Sequence, residues 1–154
     1  MLKIFVSFLL IGGLAGPAVA QELTWRQNIV PIVTTKCIMC HGSKAPEYNE
    51  WMLLENEKRQ SLAPRMDTYP AFMTYVVWPA TGAMMRRLDD GKATGGKPGN
   101  MYKYLGGTDE ERAKNLKMIK DWLGDGAWFL NRWKARKDVP GVPKEQLEKI
   151  KAKY

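Results

Sequence analysis

The residues of this chain that can do chemistry are gathered in five consecutive positions, Cys37-Ile38-Met39-Cys40-His41. Two thiols separated by two residues on a helical turn stand one haem edge apart, so both can bond to vinyl groups of the same porphyrin, and the imidazole that follows lies against the porphyrin face as an iron ligand. Two other chemistries use a cysteine pair at this spacing. A thioredoxin-like redox pair sits within a βαβ pattern, and a zinc site draws on a second pair of cysteines or histidines. The chain has two cysteines and one histidine in all, and no βαβ pattern surrounds the motif. The expectation is one covalently attached haem c, held by Cys37 and Cys40 with His41 as the proximal ligand.

The N-terminus is consistent with that chemistry. Lys3 begins a short basic segment, residues 4–14 form an apolar run broken only by Ser7 and two glycines, and Ala18-Val19-Ala20 is an A-x-A cleavage signal. This reads as a signal peptide over residues 1–20, a mature chain beginning at Gln21, and a periplasmic location. The apolar run is about half of the roughly 20 residues needed to span a bilayer. No cysteine follows the cleavage site to carry a lipid, and with both cysteines consumed by haem there is no disulfide framework.

Residues 21–154 are enough for one domain with a modest core. They carry 23 basic and 16 acidic side chains, a formal +7 before the haem propionates are counted. That excess suits an acidic redox protein or an oxidoreductase as partner, while simple solubility accounts for it equally well. Nucleic acid is a poor partner for an exported chain. Residues 131–154 hold eight basic and three acidic side chains, which admits a docking surface or an anionic-membrane contact that nothing requires. The plainer reading is an aromatic packed segment, Trp128, Phe129, Leu130 and Trp133, followed after Val139-Pro-Gly-Val-Pro143 by a solvated helix from Lys144 to Lys153.

The elements that must position the motif read as helices and loops, without convincing strand alternation. Thr24-Trp25-Arg26-Gln27 has capping-box spacing and Ile29, Val30, Ile32 and Val33 follow as apolar positions. Pro31 has no N–H for the carbonyl of Gln27, so this helix must kink or restart with Pro31 in its first turn. A helix is expected over residues 67–77, a short one over 82–89, and a loop from Gly91 to Gly99. Thr108-Asp109-Glu110-Glu111 caps the clearest helix, which stops at Gly124. Leu116, Ile119, Trp122 and Leu123 share its core face, with Trp122 as packing rather than an electron wire.

The stretch from Asn28 to Gly42, with the Cys37–His41 motif at its end, resembles the entry segment of class I c-type cytochromes, and Leu116 to Trp128 resembles their C-terminal helix. The resemblance implies an all-α, cytochrome c-like fold in which N- and C-terminal helices cross above a single haem. It covers about two-thirds of the mature chain, giving a cytochrome domain over 21–130 and a basic, helical C-terminal extension over 131–154.

The sixth iron position follows from the same resemblance. A single histidine excludes bis-histidine ligation within the chain, and a methionine is the expected partner. Met39 lies inside the attachment turn and Met118 on the C-terminal helix, both poorly placed. In similar cytochromes the axial methionine lies on a glycine- or proline-bearing loop shortly before the C-terminal helix, and Met101 in Pro98-Gly-Asn-Met101-Tyr102 occupies that place, although Tyr102 stands where a proline often follows. Met84, Met85, Met66 and Met73 remain alternatives, as does an open site; otherwise these side chains fill the core. The expected function is single-electron transfer by an exported monohaem carrier and not catalysis. The alternatives are an electron-transfer subunit of a larger oxidoreductase, and a five-coordinate haem that binds gas or reduces peroxide.

Overall fold

A computed structural model describes residues 22–92, 95–124, 126–130 and 143–154. The expected signal peptide, Trp133, the cluster Lys134 to Lys137 and the Val139–Val142 break lie outside the described residues. Within them the chain is helical, with no strand. A π-helical turn, Trp25–Ile29, leads into α1, Val30–Lys36; then come α2, Ile38–His41; α3, Tyr48–Leu53; α4, Asn56–Ser61; α5, Tyr69–Met73; α6, Ala83–Leu88; a 3₁₀ turn, Tyr102–Leu105; α7, Asp109–Leu123; and α8, Lys144–Leu147.

The first helix resolves its proline by restarting. Thr24 caps the π turn, accepting from the Gln27 N–H at 3.2 Å, and the Val30 N–H bonds back to the carbonyl of Trp25, five residues earlier. Pro31 then occupies the first turn of α1, where its missing donor costs nothing. The box is not reciprocal: the Thr24 N–H donates to Asn28 Oδ1 at 2.8 Å instead of to Gln27. Thr108 behaves similarly on α7, accepting from the Glu111 N–H while the Glu111 carboxylate takes the N–H of Gly107.

The expected helix over 67–77 is shorter. It ends at Met73, and the chain then folds back in turns, with the N–H of Ala80 on the carbonyl of Thr74 and that of Met84 on the carbonyl of Tyr75. Three β-branched residues, Thr74, Val76 and Val77, and then Pro79 follow, which disfavour continuation of the helix.

The core is an aromatic crossing of the two chain ends. Trp25, Phe72 and Trp122 lie with ring centroids 5.2–5.8 Å apart, and Tyr69 closes the group edge-on against both tryptophans. Leu116, Ile119, Trp122 and Leu123 are all buried, as the helical stripe predicts. Lys36 at the end of α1 pairs with Glu111 at the start of α7 at 2.5 Å.

The largest departure from sequence expectation is the C-terminus. The helix from Lys144 ends at Leu147, and the last residues lie along the end of α7 with Ala152 buried instead of forming a solvated helix. The N–H groups of Lys151 and Ala152 bond to the carbonyls of Leu123 and Trp122, which as the end of α7 lack helical partners. The carbonyl of Lys153 accepts from both the Trp25 N–H at 2.7 Å and Trp122 Nε1 at 2.8 Å. Tyr69 Oη donates to the carbonyl of Ala152, itself buried, and Arg26 lies over the Tyr154 ring. Tertiary hydrogen bonding at α7 overrides local helix propensity here. Deleting residues 151–154 is expected to lower the unfolding free energy by about 3–5 kcal/mol, since several buried polar groups lose partners together. Guanidinium denaturation of the holoprotein measures it, and a loss below about 1 kcal/mol would make the tail peripheral.

Candidate haem site

The attachment turn is built from the end of α1. The Cys37 N–H bonds to the carbonyl of Val33 at 2.9 Å, and the carbonyl of Cys37 receives the N–H groups of Cys40 and His41 at 3.2 and 2.9 Å. This helical turn presents Cys37 half-buried against the core and Cys40 exposed. Burial pushes the Cys37 thiol up to about 11, the opposite of the lowered value that makes a redox-active cysteine reactive. The two sulfurs and the imidazole do not converge as three ligands of one ion would.

His41 is held from behind. Its Nδ1 lies 2.7 Å from the carbonyl oxygen of Pro64, and because a carbonyl only accepts, Nδ1 carries the hydrogen and the Nε2 lone pair is left for a metal. Burial lowers the imidazole's affinity for a second proton, partly offset by that same bond, so the ring stays in the neutral form that ligation requires. The segment carrying Pro64 is fastened on both sides. The Met66 N–H bonds to the carbonyl of His41 and the Arg65 N–H to that of Pro46, while the Arg65 guanidinium reaches Glu47 and Asp67, each at 2.6 Å. Pro64 was not recognisable as a site residue in the sequence, because a carbonyl oxygen belongs to every residue.

Met101 stands at the start of the 3₁₀ turn, half-buried. Its N–H bonds to the carbonyl of Arg87 at 2.8 Å, and the N–H of Gly99 bonds to the carbonyl of Asp89 at the same length. The two segments pair so closely that a Cβ on Gly99 would lie 2.3 Å from the Arg87 oxygen; only glycine fits there. Downstream, Asn115 and Arg112 of α7 donate to the carbonyls of Leu105 and Gly106 at 2.7 and 3.0 Å. The other methionines are placed differently. Met84 is buried in the core, Met66, Met73, Met85 and Met118 pack against it, and Met66 joins the segment that backs His41. Met39 is 91% exposed.

An open cleft of about 440 Å³ adjoins the attachment turn, lined by Ile38, Met39, Cys40, Lys44, Pro46 and Leu62 among others. The donor set therefore fits one haem: two thiols on one helical turn for its vinyl groups, and a neutral imidazole with a single free nitrogen for its iron.

A helical fold with this turn at the end of its first helix defines a monohaem c-type cytochrome. The family model of PccH cytochrome c matches residues 24–154. The solved structure of the monoheme cytochrome PccH from Geobacter sulfurreducens is 45% identical, covers 87% of this chain and all of its own, and superposes with a TM-score of 0.71. This chain belongs to the PccH cytochrome c family, and carries one covalently bound haem c. No curated protein matches. The match extends to Tyr154 and so includes the C-terminal segment that the class I resemblance did not reach.

Replacing Cys37 and Cys40 together with alanine is expected to give a chain without covalent haem and with little stable structure, because a core of this size relies on the haem it encloses. Haem staining after denaturing electrophoresis tests it. Stain retained in the double variant would place the attachment elsewhere.

Proposed function

We propose that this cytochrome is an exported single-electron carrier in which Cys37 and Cys40 form the thioethers, His41 Nε2 is the proximal ligand and Met101 Sδ the distal one. The observation that carries this reading is the bond between His41 Nδ1 and the carbonyl of Pro64, which fixes the tautomer and leaves a single ligating nitrogen. Haem bound there supplies a ferric–ferrous couple, to which a thioether ligand lends a raised potential. Met101 is favoured because its backbone is fixed at both ends while its side chain, unlike those of Met66, Met73, Met84, Met85 and Met118, is not part of the core packing among the described residues, and Met39 lies inside the attachment turn itself.

Replacing Met101 with alanine should abolish the sulfur-to-iron charge-transfer band of the ferric protein and lower its reduction potential, because a thioether favours ferrous iron. Replacing Met84 or Met85 should leave the band in place. Loss of the band in either of those variants but not in Met101→Ala would reassign the ligand.

Export to the periplasm is supported by the signal-like residues 1–20, which lie upstream of the family match. Among the described residues no helix is long and apolar enough to cross a membrane. Exchange with an acidic redox partner is supported by the formal charge and by the exposed lysines of the tail, Lys144, Lys149, Lys151 and Lys153. Stopped-flow oxidation by an acidic acceptor should slow as added salt screens the steering field. A rate indifferent to salt, or rising with it, would assign the positive charge to solubility.

A further inference from the structure

Asp89 is the one buried carboxylate among the described residues, 5% exposed. Its Oδ1 accepts from Trp128 Nε1 at 2.9 Å and lies 3.2 Å from the ammonium of Lys120; its Oδ2 accepts from the Gly91 N–H at 2.9 Å. The Lys120 ammonium also lies 5.1 Å from the Trp128 ring centroid. A buried charge must be paired and hydrogen-bonded to be tolerated, and every partner of this one comes from the loop it opens, from α7 or from the residues just after it. The backbone of Asp89 is the other half of the arrangement. Its carbonyl receives the Gly99 N–H, one rung of the short pairing whose next rung is the Met101 N–H on the carbonyl of Arg87.

We infer that Asp89, clamped by Lys120 and Trp128, is a positioning residue for the distal ligand: it anchors the α6 side of the pairing to α7 and thereby holds Met101 in place. The inference rests on Met101 being that ligand. Without the clamp, the end of α6 and the segment paired to it would still meet through two backbone hydrogen bonds, but the buried ion pair that ties them to the C-terminal helix would be lost. Met101 would then leave the iron more often while the aromatic crossing of Trp25, Phe72 and Trp122 stayed intact.

Imidazole titration of the ferric holoprotein reads this directly, since an external ligand binds only where Met101 has left and its apparent affinity scales with that fraction. Asp89→Asn and Lys120→Gln are expected to bind imidazole about tenfold more tightly than the unaltered protein, with a lowered reduction potential in each. Lys120→Arg, which keeps the charge, should stay within about twofold. Phe72→Leu, which truncates the aromatic crossing against Trp25 and Trp122, should lower global stability and leave imidazole affinity within about twofold. If Asp89→Asn does not accumulate, Lys120→Gln alone carries the comparison. Unchanged affinity in the clamp variants, with Met101→Ala losing the charge-transfer band, overturns the inference and leaves the ligand assignment standing. An equal gain in Phe72→Leu overturns it too, by reducing the effect to lost stability. A band that survives in Met101→Ala removes the ligand assignment and the inference with it.

Discussion

In the proposed haem site, attachment through two thiols and an imidazole within five residues confines one side of the haem to a single helical turn, and this constraint organises the rest of the molecule. The proximal side is local in sequence: α1 delivers the turn, and Pro64, 23 residues on, sets the imidazole through one hydrogen bond. The opposite side cannot be local, because a chain leaving His41 must travel around the porphyrin before it can return. In the proposed ligation the return takes sixty residues, from His41 to Met101. The loop-closure cost of that distance is met by contacts that hold Met101 from both directions, α6 before it and α7 after it.

The same long return explains why the chain ends matter. The π turn and α1 are the first of the described elements and α7 is the last long one, so their crossing is a contact of high sequence separation. Trp25 and Trp122 meet there at 5.8 Å. Each also presents an N–H that is costly to bury without a partner, and the carbonyl of Lys153 satisfies both. One oxygen therefore ties the first helix, the last long helix and the C-terminus together. Gly124 makes the approach feasible. Its φ is 103°, and a Cβ at this position would lie 2.5 Å from the Lys149 carbonyl oxygen.

What could be read from the sequence was whatever depends on short-range pattern. The attachment motif, the apolar stripe of α7, its Thr108 cap and Gly124 stop, and the restart at Pro31 all follow from spacing or from one residue's covalent geometry, and the helix over 82–89 came within a residue at either end. Contacts made by backbone groups at a distance were illegible. Nothing in residues 144–154 distinguishes a solvated helix from a strap, because the deciding partners are orphan carbonyls of α7 that have no signature of their own. Asp89 was equally hidden: an aspartate before Asp90-Gly91 reads as turn chemistry, and its burial depends on Lys120 and Trp128, which lie 31 and 39 residues away in sequence.

The charge distribution separates two functions that a docking surface often combines. Residues 43–67, which include α3 and α4 and part of the wall of the cleft beside Cys40, hold five acidic and four basic side chains, several of them paired through Arg65. The positive excess of the chain is therefore carried elsewhere, much of it by residues 131–154. Next to the attachment turn Ile38, Met39 and Leu62 are exposed apolar groups, 43%, 91% and 47% accessible, with the exposed Lys44 beside them. Apolar contact is short-ranged, whereas a net charge acts over a Debye length of about 8–10 Å at physiological salt. In the proposed carrier, encounter is thus governed by the basic residues that carry the net charge and close approach by the exposed apolar groups around Cys40. Substitutions in the first set should alter how often partners meet, and those in the second how well an electron crosses once they have met.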